Sequence, residues 1–202
     1  MANEVLDTRT KILQTTIDIV GLKGEVTIRE ITEKAGVNVA AINYHFGNKN
    51  NLLKEVENYY SDLLYNSQEK ILKDEAAAPR EILLNWAHSL LNFMFSYPAL
   101  IGLIVNLTTE DKSYNPVLIQ KIYLNKEIQV MVEEIIKEST GIHNPKLLNY
   151  KYLQLFSGIL GPVVNRLVTQ TFDGAPSSMD FNSREELDEY IKLLITSVVG
   201  SN

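Results

Sequence analysis

Apolar side chains recur along this chain at spacings of three and four, with few glycines or prolines between them, and that period belongs to amphipathic helices. The first run, about Asp7 to Lys23, puts Ile12, Leu13, Thr16, Ile17 and Val20 on one face and meets a stop at Gly24. A second run opens at "TIRE", where Thr27 and Glu30 have the spacing of a capping box, and closes at Gly36. Asn38 then caps a third helix of about two turns that ends at Phe46, and a long fourth helix begins near Lys49. Pro79 opens another helix that closes before Pro98, and "ALIGLIVNLTTE" reads as a short, almost wholly apolar helix expected to be buried. Long helices follow over Pro116 to Thr140 and Pro145 to Thr171. The last, "SREELDEYIKLLITSVV", repeats the capping pattern with Ser183 and Glu186. Only "FDGAPSSMDFNS" is loop-like over any length. The pattern predicts an all-α protein.

Composition narrows the chemistry. The 202 residues suffice for one sizeable core or two modest ones, and 45% hydrophobic with 22% charged residues is the balance of a folded chain. With no cysteine, disulfides, thiolate metal sites and cysteine nucleophiles are excluded. There is no G-x-S-x-G, no H-E-x-x-H and no phosphate-binding glycine loop, so neither catalytic residues nor a cofactor is expected. His88 and His143 are too far apart and too poorly accompanied for a metal site. The first residues lack an apolar signal core, and no segment approaches the ~18 apolar residues of a membrane span, so a cytoplasmic protein is expected. The net charge of -6 is unevenly spread: residues 1–55 balance seven basic against seven acidic side chains, whereas residues 56–202 hold 12 against 18. A neutral front with clustered cations can still grip a polyanion.

The two short helices at 28–46 are joined by "AGVN", a tight turn with one glycine and one apolar plug, Val37. Ala35 lets them cross closely, and Ile31, Val37 and Ile42 point toward the first helix, which is the helix-turn-helix arrangement. A helix of about two turns is not stable alone, so packing holds one face and leaves the other free, at a size that fits a major groove about 12 Å wide. Phe46, between two helices, belongs to the core.

"ILQTTIDIVGLKG" followed by "TIREITEKAGVNVAAINYHFGNKNNLL" resembles the DNA-binding domain of the TetR family of bacterial transcriptional regulators, over about the first quarter of the chain. Asn43 stands where that family often has tyrosine, and Val20 where phenylalanine is common. The resemblance implies a three-helix DNA-binding domain over residues 1–48 and a helical ligand-binding and dimerisation domain over 49–202, with the fourth helix linking them. It puts Val39, Ala40, Ala41, Asn43 and Tyr44 at DNA-facing positions of the third helix, which Asn38 caps. Thr27, Tyr44, His45 and Lys49 match phosphate-contacting or near-phosphate positions, although Thr27 is equally a plain cap and His45 equally a packing residue. The function implied is a ligand-responsive repressor that binds palindromic double-stranded operator DNA as a homodimer and is released by a small-molecule inducer. A helical protein-interaction module that binds no DNA is the alternative.

Residues 56–202 carry no family-specific motif. In "LFSGILGPVVNRL", Ser157, Gly158 and Gly161 lie along a helix whose Pro162 crowds the carbonyl of Gly158, and small residues admit a neighbouring helix. With Leu187, Tyr190, Ile191, Leu194 and Val198 they would form a four-helix contact across a two-fold axis, unless both faces are intramolecular core. Trp86, Phe93, Met94, Asn106, Tyr123, Met131, Tyr152, Phe156 and Asn165 are the candidate ligand contacts, with Gln154 and Arg166 as further orienting groups, and suit an apolar or aromatic inducer.

Overall fold

The computed structural model describes residues 7–23, 26–171, 181 and 183–200. Their helices are α1 (Thr8–Lys23), α2 (Ile28–Ala35), α3 (Val39–Phe46), α4 (Lys49–Leu72), α5 (Pro79–Ser96), α6 (Ala99–Glu110), α7 (Lys126–Thr140), α8 (Pro145–Thr171) and α9 (Arg184–Val199). A π-helical stretch, Ile119–Tyr123, precedes α7, and no strand occurs among the described residues. The fold is all-α, as the period predicts. The expected stop at Gly24 and most of the tract at 172–183 lie outside the described residues.

Two compact units are present: Met1–Leu63 with Ser96–Leu124, and Leu64–Phe95 with Asn125–Asn202. Helix α4 begins in the first and continues into the second.

In the first unit, α1 buries Ile12, Thr16, Ile17 and Val20, with Ile19, and leaves Leu13 half-buried. Each fully buried aliphatic side chain of this kind contributes roughly 1.5–3 kcal/mol relative to exposure. The Tyr60 hydroxyl of α4 donates to the Ile17 carbonyl at 2.8 Å, and burial pushes the phenol up to about 12. Gly21 is required beside it, because a Cβ there would collide with the Tyr60 oxygen.

The segment after α6 departs from the expected single helix over 116–140. It breaks at Leu124, whose N–H reaches back five residues to the Ile119 carbonyl. Asn125 then starts a new helix, its side-chain oxygen accepting from Glu127 and Ile128 N–H. The amides that open the first piece are held from outside. Glu57 of α4, fully buried, accepts from Tyr114 Oη at 2.7 Å, Val117 N at 3.2 Å and Leu118 N at 2.7 Å. Burial, then the hydrogen bond to Glu57, pushes the Tyr114 phenol up. Nearby, Lys54 donates to Asp111 at 2.8 Å, and that bond, with those from Ser113, holds the Asp111 carboxyl down at about 2. Helix α6 is not buried all round as expected. Leu100, Leu103, Ile104 and Leu107 face inward, while Val105 and Asn106 are exposed.

In the second unit, Leu83, Trp86 and Leu90 of α5, Val132 and Ile136 of α7, Leu155 and Ile159 of α8, and Ile191 and Ile195 of α9 are buried. Pro162 lies inside α8 and supplies no N–H to the Gly158 carbonyl. The Tyr190 hydroxyl of α9 takes that place, donating to Gly158 O at 2.7 Å, and burial pushes the Tyr190 phenol up. A covalent defect in one helix is thus the docking point of another.

Candidate nucleic-acid interface

The recognition element is built from its caps inward. Thr27, in extended conformation, accepts from Glu30 N–H at 3.1 Å and starts α2. Gly36 ends it at φ 62, the left-handed region that an L side chain resists. Two residues later Asn38 is extended again, and its Oδ1 accepts from Ala41 N–H at 2.9 Å to start α3. Ile31, Ala35 and Ile42 are fully buried and Phe46 nearly so, which pins both helices against α1.

Those anchors decide what α3 shows outward. Tyr44 is 85% exposed and Val39 47%, Ala40 and Asn43 are exposed, and Ala41 and His45 are half-buried. The rings of Tyr44 and His45 meet edge-on, centroids 5.0 Å apart. Gly47, at φ 78, turns the chain, and Asn48 accepts from Asn51 N–H at 2.9 Å to start α4. Asn51 in turn donates to the Phe46 carbonyl at 3.0 Å, closing the last turn of α3. Lys49, half-buried on the first turn of α4, makes no ion pair among the described residues. Thr27 and Lys49 share a hollow of about 430 Å³ with Asn50, Asn106 and Glu110. The result is a short rod with an apolar underside, a polar and aromatic outer row, and helix N-termini on either side, the geometry that meets phosphates with N–H groups and base edges with side chains.

Sequence reasoning passed over Arg9. Its guanidinium lies 5.0 Å over the Phe46 ring and donates to Glu55 at 2.7 Å, tying α1 to the end of α3 and to α4. Only the clustering of cations in the first 55 residues hinted at it.

The other candidate sets fare unevenly. Trp86, Met94, Tyr152 and Phe156 are buried in the second unit, and Phe93, Met131 and Asn165 are half-buried there. Three of them form a column, with Tyr152 and Phe156 stacked at 5.7 Å and Phe156 and Trp86 at 6.2 Å. Asn106 and Tyr123 are not part of it, since both are exposed residues of the first unit. Of the supposed partner-facing residues, Ser157 and Gly161 are exposed, but Leu187, Ile191 and Val198 are buried within the unit, where α9 packs on α7 and α8. Tyr190 and Leu194 are also engaged inside, the first through its bond to Gly158 and the second at 2.5 Å from where a Gly158 Cβ would stand. The amphipathic period gave the apolar face of α9 correctly, and that face is spent on its own unit. The large exposed apolar residues are instead Leu147, Tyr150, Leu153 and Val164 of α8 and Leu193 of α9. Among the described residues no group of three or more His, Cys, Asp or Glu could hold a metal ion, and no single helix is long and apolar enough to cross a membrane.

A buried-anchor, capped helix pair with an exposed second helix defines a helix-turn-helix DNA-binding protein. Residues 23–56 match the family model for bacterial regulatory proteins of the tetR family. The front of the chain therefore carries a helix-turn-helix similar to that of the tetR-family regulators. Solved structures share the fold over nearly the whole chain. The TetR family transcriptional regulator PfmR from Thermus thermophilus is 16% identical with a TM-score of 0.58, covering 93% of this chain and 96% of that one. A TetR family transcription regulator from Marinobacter aquaeolei is 18% identical with a TM-score of 0.55, covering 95% and 93%. A protein of unknown function from a Rhodococcus species is 17% identical with a TM-score of 0.66, covering 98% and 96%. No curated protein matches the chain.

Proposed function

We propose that this regulator is a homodimeric, non-enzymatic, cytoplasmic repressor that holds a palindromic operator through two copies of α3 and is released by a small apolar or aromatic inducer. The observation that carries this is the division of α3: Ile42 and Phe46 anchor it, while Asn43 and Tyr44 stand in solvent. Asn43 carries the amide that pairs bidentately with an adenine edge, and Val39, Ala40 and Ala41 offer methyl groups to thymine. Thr27, Tyr44, His45 and Lys49, with the N-termini around Asn38, engage phosphates and set register without choosing sequence.

Residues 1–48 form the DNA-reading part, and α4 carries the signal to it because one helix runs through both units. Inducer binding in the second unit favours a dimer whose recognition helices no longer match successive grooves, about 34 Å apart. To release the operator usefully, the inducer must prefer that dimer by a few kcal/mol. Ser157 and Gly161, with Leu153, Val164 and Leu193, are among the exposed α8 and α9 residues available to a second copy.

The test is retention of DNA from upstream of the chain's own gene in a gel-shift assay at about 50 mM salt, repeated at about 200 mM. Retention that collapses with salt is expected. No retention at the lower salt would replace the repressor with a helical module that binds a partner protein.

A further inference from the structure

The outer face of α3 holds a restricted set of side chains, and the set limits which base pairs it can cover. Val39 and Ala40 of the first turn and Asn43 and Tyr44 of the second are exposed, with Ala41 and His45 half-buried beside them. No Lys, Arg, Asp or Glu lies between Val39 and Phe46, although residues 1–55 hold seven basic and seven acidic side chains. Both arginines of that stretch are on other helices and already bonded. Arg9 of α1 donates to Glu55 and Arg29 of α2 to Glu33, each at 2.7 Å. The two asparagines at the helix differ in the same way. Asn38 commits its side-chain oxygen to Ala41 N–H, whereas the Asn43 side chain makes no hydrogen bond among the described residues.

Base edges in the major groove divide along the same line. Guanine presents two acceptors, O6 and N7, and the side chains that answer both at once are Arg and Lys. Adenine presents the N7 acceptor beside the N6 amino donor, which a single amide meets with its own donor and acceptor. Thymine adds a methyl group, the apolar feature of that groove. Val39 and Ala40 offer methyl groups alone. Set against a thymine methyl they bury apolar surface, but set against a guanine edge they strip water from two acceptors and return no donor. Tyr44 or His45 would give such a guanine one donor for two acceptors. This holds for any register of α3 along the groove, because no position of the helix carries a carboxylate, an ammonium or a guanidinium. Eight residues at about 1.5 Å each span about 12 Å, or roughly three to four base pairs at about 3.4 Å. We infer that the base pairs of each half-site covered by α3 are all A·T, with an adenine opposite Asn43, thymine methyls against Val39 and Ala40, and any guanine of the operator outside that stretch. This rests on the DNA-reading role proposed above, and adds what that role leaves open, the composition of the half-site.

The full chain is used to select binding sites, at about 50 mM salt, from duplexes with a randomised central segment, and single groups are then removed from the selected duplex. Repeating the selection with Asn43→Ala marks the base pair that Asn43 reads, and with it the stretch under α3. Asn43 is exposed, so this variant should unfold at the wild-type temperature, and the wild-type series on altered duplexes stands without it. Expected is A or T at every position of the marked stretch. Uracil in place of a thymine there, which removes one methyl group, should weaken binding about fourfold. Placing 7-deazaadenine at the marked adenine, which removes N7, should weaken it at least about fivefold. Asn43→Ala should lose the second effect and keep the first. A guanine selected within the stretch, thymines that uracil replaces at no cost, an adenine effect that survives in Asn43→Ala, or a selected site that Asn43→Ala leaves unchanged overturns the inference while sequence-specific binding stands. Duplexes retained without any preferred sequence, or not retained at all, overturn the operator reading itself.

Discussion

Helices α3 and α9 both carry an apolar stripe, yet their stripes mean different things. On α3, eight residues long, Ile42 and Phe46 are the buried anchors, and every other side chain of the helix is half-buried or exposed. On α9, Leu187, Ile191, Ile195 and Val198 form a complete inward face, and Leu193, 68% exposed, lies on the other side. A short helix with two anchors has one way to sit, so its free face follows from its sequence. A long helix with apolar residues on two sides has two, and its sequence does not say which faces its own chain.

The sharpest way to break this contrast is to truncate a buried anchor of α3 and an exposed apolar residue of α9. Ile42→Ala should destabilise the protein by about 3 kcal/mol, the usual result of truncating a fully buried isoleucine, and should abolish DNA retention by loosening α3. Leu193→Ala, being exposed, should move stability by less than about 0.5 kcal/mol. Urea unfolding of both variants checks this. A small effect at Ile42 would mean that α3 is not held as described.

The outer face of α3 is probed through DNA. Asn43→Ala should cost about 2 kcal/mol of discrimination at one base pair of each half-site, flattening the difference between operator and mutated operator. Lys49→Ala should weaken all sequences alike and lower the salt slope by about 1. Binding isotherms on matched and mismatched duplexes at several salt concentrations separate the two, and equal loss of specificity from both substitutions would contradict the division of roles.

On the α8–α9 side, Tyr190→Phe leaves the Gly158 carbonyl without the donor that substitutes for the missing Pro162 N–H. A loss of about 1–2 kcal/mol is expected, the usual cost of a stranded buried acceptor, with the proposed dimer intact because this bond lies within one unit. Thermal unfolding together with sedimentation checks both halves. A dissociated dimer without lost stability would return Tyr190 to a partner-facing role.

What was legible in advance followed locality. Thr27, Gly36, Asn38 and Ser183 act on backbone groups within a few residues of themselves, and their caps appear where the spacing puts them. The break at Asn125 had a local signal too, a capping residue before an acidic one, but the apolar period on both sides outweighed it. Glu57 had no such signal, since it holds amides some sixty residues away that no neighbouring side chain caps. The partner of Pro162 lay between these cases. That the Gly158 carbonyl would need a donor follows from the proline, but that Tyr190 supplies it depends on how α9 docks. The exposed row of α3 was readable for the first reason, whereas the grouping of the ligand candidates depends on the second, and Asn106 and Tyr123 fall in the other unit from Trp86.

Gly161 gives the finest test of which faces remain free. A Cβ added there meets nothing within 4 Å, unlike one at Gly158, where it would press on Leu194. In an isolated chain, Gly161→Ala should therefore stabilise α8 by roughly 0.5–1 kcal/mol, because alanine gives up less backbone freedom on folding. If the exposed row of α8 packs against a second copy, the same methyl stands where two backbones approach, and the dimer should weaken although each protomer is firmer. The opposed signs make the outcome readable: a higher thermal midpoint with a raised dimer dissociation constant locates Gly161 in the interface. A higher midpoint with an unchanged constant removes Gly161 from that interface, and leaves any partner contact to other exposed residues of α8 and α9.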